Sequence, residues 1–213
     1  MDTKITNIIL LAIIVLAFGA GIFVYPMLPD QIASHWGPSG QVNGYMPKLW
    51  GIFLFPLILI GMFVFYIAIP MVDPLKKNIE SFRKDYNKFW IFMFVFFSYV
   101  FSLTLAWNFG CRFNMTFAII PAIAMLYYVM AAIIEKSKRN WFFGIRTPWT
   151  LSSDRVWDKM HKLGGKLYRV AAFLSLAGLL FTEEIAIFFI VGPVMIASIY
   201  VLVYSYFVYK KNN

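Results

Sequence analysis

Apolar residues run along this chain in long unbroken blocks, without the strict alternation that marks a half-buried strand. Six blocks stand out, at 5–24, 49–72, 89–107, 115–134, 167–182 and 185–209. A hydrocarbon core of roughly 30 Å asks for about 20 such residues per crossing, so each block is read as a membrane span. The last two are parted only by Glu183 and Glu184. One helix through both would run about 60 Å, far beyond the bilayer, and would hold two carboxylates in mid-membrane. A turn at the acidic pair is therefore expected. The pattern predicts an all-α integral membrane protein with six transmembrane helices in a single membrane domain, residues 1–213.

Two of the intervening polar stretches are more than connectors. The first, 27–48, carries Gly37-Pro38, Ser39-Gly40 and Asn43-Gly44 steps, which mark turns, and Gln31 to Trp36 reads as a short strand. A compact, hairpin-like loop follows. In the longest, 135–166, Ser152 or Ser153 is placed to cap a helix with Asp154 in its first turn. Val156, Met160 and Leu163 then share one face, with Arg155, Lys159, Lys162 and Lys166 largely opposite. That predicts an amphipathic helix in the membrane plane before the fifth span, its basic side chains toward anionic headgroups. Whether it continues into that span through Gly164-Gly165 is left open by the pattern.

Composition agrees with a membrane chain: 61% of the 213 residues are hydrophobic and 14% charged, against about 25% charged in a soluble domain. The net charge of +9 could indicate nucleic acid, but its distribution indicates topology. Lys4, then Lys76, Lys77, Arg83, Lys84 and Lys88, then Lys136, Lys138, Arg139, Arg146, Arg155, Lys159, Lys162, Lys166 and Arg169, then Lys210 and Lys211 all fall on one side of the alternation. Lys48 and Arg112 alone fall on the other, which predicts both termini in the cytoplasm, the hairpin-like loop outside and the long loop inside. The expected location is the cell membrane, with lipids as partners and no direct nucleic-acid contact. The segment Val24-Tyr25-Pro26-Met27 lacks a small-residue cleavage site, so the first block is expected to stay as a span. One cysteine, Cys111, and two histidines, His35 and His161, exclude an intramolecular disulfide and offer no metal-ligand spacing, so no metal or cofactor is expected.

Candidate chemistry is confined to the two loops. His35 and Trp36, with Asp30, Tyr45 and Lys48 as polar neighbours, either pack the outer loop onto the bilayer edge or form a ligand-binding surface. His35 with Asp30, and His161 with Asp158 three residues before it, are possible acid/base pairs. No nucleophile, phosphate loop or metal set accompanies them, so an enzyme is the least favoured reading. The spans offer only neutral polar residues such as Ser98, Ser102, Thr104, Ser175 and Ser198, which disfavours ion-coupled transport but leaves a small transporter or exporter of an amphiphile as an alternative.

The two loops also carry a resemblance. Leu28-Pro29, Ile32, His35-Trp36, Gly40, Tyr45 and Lys48 in the first, and the run from Asn140 to Ser152 with Val156-Trp157, His161 and Gly164 in the fourth, resemble the SdpI family of bacterial and archaeal membrane proteins, including its N-terminal domain of unknown function. The resemblance implies a six-helix protein that gives immunity to a secreted toxic peptide by binding it. It further implies signalling by holding a small cytoplasmic transcriptional repressor at the membrane. On that reading Asp30, His35, Trp36, Tyr45 and Lys48 form an outer ligand site, and Asn140, Gly144, Arg146, Thr147, Pro148, Trp149, Trp157 and His161 a cytoplasmic platform.

Overall fold

The computed structural model describes residues 1–212. Its elements are α1 (Thr3–Val24), β1 (Gln31–Trp36), β2 (Val42–Pro47), α2 (Lys48–Val72), α3 (Lys76–Ser81), α4 (Arg83–Asn108), α5 (Met115–Ile134), α6 (Pro148–Ser152), α7 (Asp154–Ala177) and α8 (Glu183–Asn212). Among the described residues six helices are long and apolar enough to cross a membrane, so the chain is a multi-pass membrane protein. Val15, Phe65, Phe188 and Ile196 are exposed on them, as side chains facing lipid rather than water would be.

Helix ends follow local chemistry. Asp2 caps α1 by accepting the Lys4 N–H, Asn114 caps α5 through the Phe117 N–H, and Ser153 caps α7 through the Val156 N–H. Between α7 and α8 the chain tightens into a 3₁₀ turn at Gly178–Leu180, and α8 begins at Glu183 with both glutamates in its first turn. The acidic pair thus lies at the expected boundary, where the helix dipole favours it.

Helix α1 packs on α2 and α4, α4 packs on α5, and α5, α7 and α8 pack on one another. The molecule is two three-helix groups joined where α4 meets α5. The larger core cluster lies in the first group, around Leu10, Leu59, Tyr66, Tyr86 and Phe94.

The continuity that the pattern leaves open at Gly164-Gly165 is present: a single helix runs from Asp154 to Ala177, so the amphipathic stretch is the first half of α7 and not a separate in-plane helix. Gly164 and Gly165 do not interrupt it, because both are buried against neighbours: a Cβ on Gly164 would collide with Ile145 and one on Gly165 with Glu135. The apolar face does not lie on lipid either, since Val156 and Met160 pack with Val201 and Val208 of α8. Two short helices, α3 and α6, were not anticipated in the loops.

Candidate functional site

The first loop forms the expected hairpin, with Gln31 opposite Pro47, Ile32 opposite Met46 and Ala33 opposite Tyr45. Gly40 adopts φ +72°, a backbone conformation open to glycine at little cost, and closes the turn beside Asn114. Buried Ile32 inserts among Val24, Leu28 and Ile52, while the absence of a side chain on Gly51 lets Ile32 approach α2. At the base, Lys48 Nζ pairs with Asp30 at 3.0 Å and lies over the Tyr25 ring.

Helix ends hold the rest of the hairpin. The Asn108 side chain accepts the Ala33 N–H at 2.8 Å and donates to the Ala33 carbonyl at 3.0 Å, replacing a neighbouring strand. Thr116 donates to the Pro38 carbonyl, and Asn114 donates to the Ser39 carbonyl and to Glu183 Oε1. Asn114 therefore ties the hairpin tip to the first turns of both α5 and α8. Sequence reading missed Asn108, Asn114 and Thr116; the one local signal is an asparagine or threonine at a span end, which ordinarily reads as a cap.

His35 and Trp36 lie in the wall of a cleft of about 530 Å³. The hairpin lines one part of it, Trp50, Leu54 and Ile58 of α2 another, and α4, α5 and α8 the remainder through residues such as Thr104, Ile123 and Ile190. His35 Nδ1 contacts Asn43 Oδ1 at 2.5 Å, and the Trp36 ring meets Trp107 edge-on at 5.8 Å. Tyr45 is 63% exposed. The His35–Asp30 acid/base pair of the least favoured reading does not assemble: the histidine is engaged by Asn43 and the aspartate by Lys48.

At the other end, the long loop is built around buried polar side chains. Asn140 is fully buried, donating to the carbonyls of Lys138 and Phe143 and accepting from the N–H groups of Phe142 and Phe143. Buried Asp73, at the end of α2, accepts the Trp141 N–H at 2.8 Å. Gly144 sits at φ +110°, and a Cβ there would collide with His161. His161 Nε2 accepts the Ile145 N–H at 2.9 Å and Nδ1 faces the Trp157 carbonyl at 2.8 Å, so the hydrogen resides on Nδ1. Its ring stacks on Trp157, whose indole donates to Ser137. With both ring nitrogens engaged, His161 is a strut of the loop. Asp158 pairs instead with Lys138 at 3.5 Å, so the second proposed acid/base pair does not form.

Thr147 and Thr150 make a capping box for α6, and Thr147 Oγ1 reaches Ser205 of α8 at 3.2 Å. Pro148 starts that helix, and Trp149 packs edge-on against Tyr206 of α8. Arg146 is exposed and donates to the Trp141 carbonyl at 2.7 Å. Beneath the loop, Arg169 of α7 makes a two-pronged ion pair with Glu135 in the space Gly165 leaves. Among the described residues no group of three or more His, Cys, Asp or Glu side chains is placed to hold a metal ion.

These two structured loops coincide with the segments shared with known proteins. Residues 12–60, spanning the hairpin, match a domain of unknown function (DUF1648), and residues 136–205, spanning the long loop, α7 and most of α8, match the SdpI/YfhL protein family. The chain is also 27% identical over 212 residues to Immunity protein SdpI of Bacillus subtilis (strain 168), covering 97% of each protein. The chain thus resembles the SdpI family along nearly its whole length. The first match contains the cleft-lining hairpin and the second contains the Asn140–His161 scaffold. No solved structure matches the chain at a significant level.

Proposed function

We propose that this protein is an immunity protein that protects its cell by binding a secreted toxic peptide. The observation that carries this is the near end-to-end similarity to an immunity protein, with both loops inside the matching length. The whole chain acts as one membrane domain, with both termini cytoplasmic and the hairpin outside, as the distribution of lysine and arginine favours. Peptide is received at the hairpin by His35, Trp36 and Tyr45, while Asp30 and Lys48 hold its base in position.

The cytoplasmic partner of this reading is a transcriptional repressor, met by the exposed Arg146 and Pro148 and half-buried Trp149. Asn140, Gly144, Thr147, Trp157 and His161 shape that surface from below. Binding outside changes affinity inside only if the two faces belong to states that differ in affinity for both partners.

Survival decides the reading. Cells of the host strain expressing the protein are expected to outlive cells lacking it when both receive the host's own secreted peptide fraction, and His35→Ala with Tyr45→Ala should reduce protection without reducing the protein's amount in the membrane. Equal killing of both strains would refute the immunity reading.

A further inference from the structure

The cleft beneath the hairpin is deeper than a contact for one side chain. Trp50, Leu54 and Ile58 line it at successive turns of α2, so it extends about 12 Å along that helix at 1.5 Å per residue. Its depth is apolar, with Ile119, Ile123, Ile187 and Ile190 across from α2. At the hairpin, the Trp36 Nε1 atom is buried without a hydrogen-bond partner among the described residues, although its ring is fixed against Trp107. A buried donor left unpaired costs free energy, which an incoming acceptor would recover.

We propose that this cleft is the seat of an uncharged apolar stretch of a peptide, its side chains filling the depth and one of its backbone carbonyls accepting the Trp36 N–H. The inference rests on the immunity reading for the peptide's origin, but its chemistry stands on the cleft. A volume of about 530 Å³ is within the usual range for a small-ligand site and accommodates a few large side chains. The lining contains no lysine, arginine, aspartate or glutamate. Both basic residues at this end are engaged elsewhere: Lys48 with Asp30, and Arg112 stacked on Trp107 while donating to its carbonyl. A neutral amide carbonyl suits such a wall better than a phospholipid, whose phosphate would find no free cation beside it.

The test uses the full chain in phosphatidylcholine nanodiscs and a blocked tripeptide, acetyl-photoleucine-Phe-Leu-amide, with the cross-linked residues mapped by mass spectrometry. Cross-links are expected at Leu54, Ile119 and Ile123. In Trp36→Phe, which keeps a ring against Trp107 and removes the N–H, their yield at limiting tripeptide should fall about fivefold, the equilibrium equivalent of one neutral hydrogen bond. Excess dihexanoylphosphatidylcholine should leave the yield unchanged. Cross-links scattered over the lipid-facing sides of all six helices, equal yields in Trp36→Phe, or displacement by the short lipid would each overturn the proposal. Its fate is separable from that of the immunity reading: cells that survive the peptide while the cross-links fall outside the cleft would overturn only the cleft, whereas Trp36-dependent cross-links in a protein that gives no protection would uphold the cleft and refute immunity.

Discussion

Gly144 shows how much of the long loop rests on one atom's absence. Its φ of +110° disfavours any L side chain, and the space a Cβ would need is occupied by His161 Nε2, which holds the Ile145 N–H. Gly144→Ala is expected to destabilise the protein by about 2–4 kcal/mol, combining backbone strain with loss of the hydrogen bond to the half-buried Ile145 N–H. A lowered melting temperature of the purified protein in detergent checks this; an unchanged one would mean that the loop tolerates displacement of His161. By contrast, the Asp30 carboxylate is 94% exposed, so its pair with Lys48 orients the hairpin base but adds little stability.

At the scale of elements, an isolated two-stranded hairpin is marginal in water, and this one is held by side chains from the helices it covers. Asn108 does the work of a third strand at Ala33, and Asn114 and Thr116 clasp the turn. Asn108→Ala removes both bonds to Ala33 and should speed hydrogen exchange of the 31–36 amides about tenfold while leaving the spans protected, as measured by exchange and mass spectrometry. An unaltered rate would show that Ile32 packing alone fixes the strand. Helix α7 makes the complementary point: a helix whose apolar stripe resembles a membrane-surface anchor is buried against α8, because Val201 and Val208 supply a better partner than headgroups.

For the whole molecule, orientation follows from where positive charge collects, and Cys111 offers a direct reading of it. This native cysteine is exposed in the α4–α5 loop, at the hairpin end. A membrane-impermeant maleimide should label it in intact cells, whereas Cys111→Ser with Ser152→Cys, an exposed position on the long loop, should be labelled only in inverted vesicles. The opposite pattern would invert the topology and place the hairpin inside.

The unbroken apolar blocks determined by themselves that six helices form, and Glu183-Glu184 determined where the last two part, because bilayer thickness and the cost of buried carboxylates act on local sequence. The hairpin was legible for the same reason: glycine, proline and asparagine set turns locally. Tertiary structure alone decided which polar residues serve one another. His35 meets Asn43 rather than Asp30, His161 meets Ile145 rather than Asp158, and Asn108 reaches a strand 75 residues away. Such pairings depend on how helices distant in sequence are set side by side, and neither periodicity nor spacing along the chain encodes that placement. The cleft is of the same kind. Its apolar walls are ordinary span residues in the sequence, and they form a cleft only where the two helix groups meet beneath the hairpin and leave the Trp36 N–H without a partner among the described residues.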